Sequence, residues 1–169
     1  MRPLHNLALL ALLAAAIPAG PASAIMGGSD TPPPGAGGAD DYAAGIAAFD
    51  QQDWQGVIDH MARVIEERPW EDEAYNLSGF AYRKLGHYDQ ALDFYDKALK
   101  LNPHNRGALE YLGEAYLEMD RPKDAQAMLD RLNEECERLA NSSSANQQPD
   151  CEEREDLEEA LAVYRAGKS

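Results

Sequence analysis

The sequence predicts an all-α solenoid of three antiparallel helix pairs closed by one further helix. Two observations carry this. Gly45, Gly79 and Gly113 recur at intervals of 34 residues, as do Pro69 and Pro103, Tyr82 and Tyr116, and Ala91 and Ala125. Within each period apolar residues fall at helical spacing, interrupted by turn residues. A repeat of this length marks stacked supersecondary units that bury their apolar faces against one another.

The elements follow in chain order. Residues 1–24 read as a secretory signal peptide. Arg2 supplies the positive start, Leu7 to Ile17 is an unbroken apolar run, and Ala22-Ser23-Ala24 supplies the small-residue cleavage site. The apolar run falls well short of the ~20 residues that a membrane span needs. Membrane insertion after cleavage is therefore not expected. Residues 25–39, rich in Gly, Pro and Ala, read as a flexible linker. The three units then occupy about 38–71, 72–105 and 106–139, within a repeat region of 40–139.

The middle unit shows the local physics. Tyr75, Ser78, Gly79 and Tyr82 share one helical face, and Gly86 interrupts it. Ala91, Leu92, Tyr95, Ala98 and Leu99 form a second stripe, and Asn102-Pro103 stops that helix. Small residues at 79 and 91 let the paired helices approach closely. The same treatment places helices at 40–51, 54–67, 71–85, 88–101, 105–119 and 122–139. Residues 140–151 form a polar loop. Residues 152–169 hold a seventh helix and a short tail, with Leu157, Ala160, Leu161 and Tyr164 on one stripe and charges elsewhere. A terminal helix with one polar face caps an open solenoid end.

These units resemble the tetratricopeptide repeat, whose 34-residue pattern is W-x2-L-G-x2-Y, then A-x3-F, then P. The middle unit reads Tyr75-x2-Ser78-Gly79-x2-Tyr82, Ala91-x3-Tyr95, Pro103. The third reads Leu109-x2-Leu112-Gly113-x2-Tyr116, Ala125-x3-Leu129, with Glu137 in place of Pro, so its second helix is free to run on. The first reads Asp41-x2-Ala44-Gly45-x2-Ala48, Val57-x3-Met61, Pro69 and departs most from the pattern. The resemblance implies a right-handed superhelix and a concave groove lined by the first helix of each pair. It also implies a peptide or protein partner.

Carried onto this chain, the implied groove residues are Tyr42, Ile46 and Phe49 in unit one; Asn76, Phe80, Arg83 and Lys84 in unit two; and Glu110, Glu114, Leu117 and Glu118 in unit three. The groove would pass from apolar through basic to acidic. Its acidic end favours a basic group and opposes the clamping of a carboxyl terminus that some family members perform. Two alternatives stay open. Tyr42, Ile46 and Phe49 pack under the linker or a neighbouring repeat, or they face a partner. Arg83 and Lys84 face a partner, or they pair with Glu114 and Glu118 of the next helix.

Cys136 and Cys151 flank the polar loop. In an oxidising compartment they are expected to form a disulfide holding the seventh helix to the last repeat, worth about 3 kcal/mol for a loop of this size. Neighbouring Glu134, Glu135, Glu137, Glu152 and Glu153 would raise a thiol pKa, which argues against a redox pair.

The net charge of −15 opposes binding to nucleic acid or to anionic lipid. No metalloprotease, nucleophile-elbow, phosphate-loop or dinucleotide motif is present, so neither catalysis nor a cofactor is expected. His60 is expected at the surface, His87 in a turn and His104 at a helix start. The acidic run from Asp150 to Glu159 reads as helix-start charge rather than a calcium loop. The expected function is a non-catalytic adaptor that binds a protein or peptide, with an apolar or basic segment, in a bacterial periplasm. The alternative is a self-associating envelope scaffold.

Overall fold

A computed structural model describes residues 37–142 and 151–168. The signal-peptide reading, most of the linker and most of the polar loop lie outside these residues. Among the described residues every regular element is an α-helix. They are α1 (Gly37–Asp50), α2 (Trp54–Glu67), α3 (Asp72–Lys84), α4 (Tyr88–Leu101), α5 (Arg106–Glu118), α6 (Pro122–Ser142) and α7 (Glu152–Gly167). None is long and apolar enough to cross a membrane.

Local chemistry sets the helix ends. Asp53 caps α2 by accepting from the Gly56 amide at 3.0 Å, and Asn105 caps α5 by accepting from the Ala108 amide at 2.8 Å. Pro122 opens α6, where the absent N–H costs nothing. The first helix of every pair ends in the same way. Gln52, Gly86 and Asp120 all take the left-handed conformation, with φ of 58°, 77° and 60°. The next amide in each turn, on Asp53, His87 or Arg121, bonds back to the carbonyl of Ala48, Tyr82 or Tyr116. This closes the helix with left-handed geometry. Only Gly86 advertises it in sequence.

The pairs α1/α2, α3/α4 and α5/α6 pack antiparallel and stack in order, with each later pair seated on the one before. A methyl group on Gly79 would lie 2.8 Å from the Tyr95 ring, so the absent side chain is what lets α3 meet α4. One core cluster joins α1 to α3 around Val57, Met61, Val64 and Leu77. A second joins α4 to α7 around Tyr95, Leu109, Leu112, Leu132 and Leu157. A polar seam reinforces the stack. Asn102 and Asn105 donate to the Asp72 carboxylate at 2.9 and 2.7 Å, and Asn105 also donates to Glu73 at 3.1 Å.

Two terminal features depart from simple repetition. With Glu137 where Pro would stand, α6 continues to Ser142, 21 residues in all, beyond the expected end at 139. Helix α7 packs on both α5 and α6, burying Leu157 and Leu161. Gly113, the third-unit counterpart of Gly79, meets Leu157 of α7, where Gly79 meets its own pair's Tyr95; a methyl there would lie 2.5 Å from that leucine. A Cys136–Cys151 disulfide ties α6 to the residue before α7, with 6.1 Å between the Cα atoms.

His60 keeps partial exposure, with Nδ1 2.9 Å from the Asp41 carboxylate, which also accepts from Arg63 at 2.8 Å. Burial pushes the Asp41 carboxyl up, but the bonds from His60 and Arg63 outweigh that and hold its pKa below the usual range. His87 stands in the turn before α4, and His104 precedes α5 with its ring 2.6 Å from Glu135.

Candidate binding groove

The first helices of the pairs, α1, α3 and α5, present adjacent faces, and aromatic residues run across them. Phe49 of α1 touches Phe80 of α3 at 4.9 Å between ring centres, and Phe80 touches Tyr111 of α5 at 4.7 Å. Trp54, at the start of α2, joins Phe49 and Phe80 at 5.6 Å each. All four rings are only partly buried. Such rings combine large apolar area with defined mutual geometry. Beside them lies a pocket of about 440 Å³ lined by Phe49, Asp50, Gln52, Trp54, Phe80 and Lys84. The Lys84 ammonium sits 5.3 Å from the Phe80 ring centre, within cation–π range.

Tyr42 and Ile46 also lie on α1, partly buried against the first core cluster, with the Arg68 guanidinium 5.8 Å from the Tyr42 ring centre. Phe49 packs there too, yet keeps an edge on the pocket.

Four of the expected groove residues are buried. Asn76 is enclosed at the junction of units two and three and donates to Glu73 at 3.1 Å. Leu117 belongs to the core cluster that contains Leu157 and Leu161. Glu110 is covered because α7 lies on α5. Burial, then Glu114, Asp156 and Glu153, push its pKa up to about 8 against the opposing pull of Arg83. Burial thus favours the protonated form of its carboxyl.

Arg83 is buried as well. Its Nη1 lies 2.6 Å from Glu114 and 3.2 Å from Glu118, and its guanidinium rests 5.0 Å from the Phe80 ring centre and 5.8 Å from that of Tyr111. Burial alone would lower the pKa of Arg83, but Tyr95, Glu114 and Glu118 reverse this and raise it. Of the two readings left open for Arg83, pairing within the chain is the one formed. The middle of the groove is therefore less basic than expected, with Lys84 as its exposed cation.

Glu114 and Glu118 keep partial exposure and border a second depression. This slot of about 330 Å³ lies between α5 and α7 and is lined by Glu114, Leu117, Glu118, Ala160, Val163 and Tyr164. At its far end the Tyr164 hydroxyl donates to Asp120, and the Lys168 ammonium lies 2.7 Å from the same carboxylate.

Trp54 and Tyr111 were not among the groove positions expected from sequence. Phe49, Phe80 and Tyr111 are spaced 31 residues apart, three short of the repeat, so they form a diagonal across the stacked helices. That interval between aromatics is the available sequence signal. Among the described residues no group of three or more His, Cys, Asp or Glu side chains is arranged to hold a metal ion.

Two tetratricopeptide repeat profiles match the chain, one over residues 42–106 and the other over 82–135. The anaphase-promoting complex subunit cut9 of Schizosaccharomyces pombe is 37% identical over 81 residues, covering 40% of this chain and 12% of that protein. The uncharacterized protein ycf37 of Pyropia yezoensis is 36% identical over 58 residues, 34% of this chain and 33% of its own length. The chain thus matches a third or less of either curated relative. Among solved structures, the TPR2B domain of yeast Sti1, in a complex with pHsp70, superposes with a TM-score of 0.63 at 20% identity, covering 75% of this chain and 96% of that domain. At that identity the likeness speaks for the fold. Overlapping profiles, a 34-residue period and three stacked helix pairs agree, and the chain belongs to the tetratricopeptide repeat family.

Proposed function

We propose that this chain is a non-catalytic protein-interaction module that receives a peptide or protein segment on the aromatic ledge of its groove, in a bacterial periplasm. Membership of a family of interaction repeats supports the general role. One observation carries the specific site: four partly exposed rings, Phe49, Trp54, Phe80 and Tyr111, form one continuous surface beside an open pocket. Apolar area of this kind stabilises a bound side chain at ~25 cal/mol per Å² removed from water. The Sti1 domain, solved in a complex with pHsp70, is a fold precedent for a peptide or protein ligand. The acidic end at Glu114 and Glu118 disfavours a carboxylate on the partner. The signal-like residues 1–24 and the Cys136–Cys151 disulfide support export to an oxidising compartment.

The test is a crosslinking pull-down from bacterial envelope extract with residues 25–169 as bait. Phe49→Glu/Phe80→Glu and the exposed-site variant Lys84→Glu serve as controls, each checked for helicity. A saturable partner lost with the double substitution supports the ledge. A partner that survives it places binding elsewhere, and the absence of any saturable partner overturns the module itself.

A further inference from the structure

We infer that the slot between α5 and α7 is a second binding site, for a segment of another protein that presents a Lys or Arg beside an aliphatic side chain. This rests on the reading of the chain as a protein-interaction module. It places a second subsite where the acidic end of that groove meets α7, apart from the aromatic ledge, and gives it a defined ligand chemistry.

A helix serving only as a cap should turn a polar face outward. Helix α7 does not do so throughout, since Val163 is 66% exposed and lines the slot. Leu117 and Ala160 complete an apolar floor and Tyr164 forms a wall. At about 330 Å³ the cavity is at the small end of ligand sites and suits one or two side chains.

The charges around it are unbalanced. Arg83 is the cation that meets the rim, and it faces both Glu114 and Glu118. One positive charge against two carboxylates leaves a net negative rim. Asp156 adds negative potential around Glu110, on the same helix as the rim carboxylates, while Glu153 is matched by Arg106. Lys168 at the other end is engaged by Asp120. An incoming ammonium or guanidinium is attracted and a carboxylate is repelled. The aliphatic neighbour of that cation covers Val163.

The wall is also fixed in place. Leu157 and Leu161 are buried, Arg106 pairs with Glu153 at 3.3 Å, Tyr164 bonds Asp120, and Arg165 donates to Gln126 at 2.7 Å. A site held rigid before binding loses less conformational freedom when occupied.

The test uses the full-length protein and three fluorescein-labelled octapeptides: alternating Lys and Leu, alternating Lys and Ser, and alternating Glu and Leu. Anisotropy titrations are run at physiological salt. The Lys/Leu peptide is expected to bind saturably, with the other two at least tenfold weaker. Val163→Arg, at a site exposed enough to fold normally, should weaken the Lys/Leu peptide at least tenfold. Gln90→Ala, an exposed change on α4, should leave it unchanged. Equal binding of the Lys/Ser peptide would reduce the effect to general acidity and overturn the slot. So would indifference to Val163→Arg, or no saturable binding. Val163-sensitive peptide binding with no partner lost from the ledge variant would overturn the ledge while supporting the slot.

Discussion

Arg83 of α3 reaches across the junction of the second and third repeats to within 2.6 Å of Glu114 on α5, with its own side chain 4% exposed. The same guanidinium contacts Glu118 and rests near the faces of Phe80 and Tyr111. It therefore links the aromatic ledge to the acidic end. Replacing Arg83 by Met keeps the bulk and deletes the charge, leaving Glu114, Glu118 and Glu110 near one another. Breaking a fully buried pair costs 3–5 kcal/mol. Because the carboxylates retain solvent contact, a loss of about 2 kcal/mol is expected in urea unfolding. A change under about 0.5 kcal/mol, the range of ordinary surface substitutions, would show that the pair does not brace the junction.

Glu110 makes stability fall with rising pH. Its folded pKa, near 8, is above the ordinary value of 4.5, so the folded chain binds more protons than the unfolded chain between those limits. The contribution is fully present below about pH 4.5 and is lost as pH rises through 8. Glu110→Gln keeps the shape without the charge. The variant should be more stable than the parent at pH 9, on the order of 1–2 kcal/mol, with the gap closing toward pH 4.5. Thermal unfolding across that range reads it directly. A gap that stays constant with pH would assign the effect to packing.

The turns supply a contrast between two residues in one conformation. Gly86 has φ of 77° and open space where a side chain would stand, whereas Gln52 has φ of 58° without being glycine. Left-handed geometry costs an L-residue roughly 1–2 kcal/mol, partly offset for glycine by the entropy it loses on folding. Gly86→Ala should therefore lower stability by about 1 kcal/mol, and Gln52→Gly should raise it by about 0.5 kcal/mol. Urea midpoints of the two variants check this. Equal signs would mean that the turns do not share one conformation in solution.

The period of 34 located the helix pairs because Gly, Pro and aromatic residues each mark a step of the same packing problem. Gly79 makes room for Tyr95, and Asn102-Pro103 ends α4. What a period cannot reveal is how neighbouring units are staggered. That stagger sets the diagonal through Phe49, Phe80 and Tyr111, brings in Trp54 from a second helix, and buries Asn76 and Arg83 at the junction. Nor does a repeat prescribe where a non-repeating helix lands. The stripe of Leu157, Ala160, Leu161 and Tyr164 identified α7 as amphipathic. Its seat on α5, against Gly113 and over Glu110 and Leu117, depends on tertiary contacts with no counterpart in the earlier units.

The seat of α7 should be separable from the rest of the stack. The Cys136–Cys151 bridge closes a loop of 15 residues, for which the chain-entropy estimate is about 3 kcal/mol. Removing both cysteines as Cys136→Ala/Cys151→Ala leaves Leu157 and Leu161 in the core and the Arg106–Glu153 and Tyr164–Asp120 contacts in place. Helix α7 should therefore still dock, with its opening made easier. In a repeat array each unit is coupled chiefly to its neighbours, so the loss should concentrate at the carboxyl-terminal end. Hydrogen exchange should accelerate most in α7, less in α5 and α6, and little in α1 to α3, whose core cluster is separate. Reduction of the unaltered protein should reproduce the pattern. Uniform acceleration from α1 to α7 would show that the array unfolds as one unit, and an unchanged α7 would show that its buried leucines suffice to hold it.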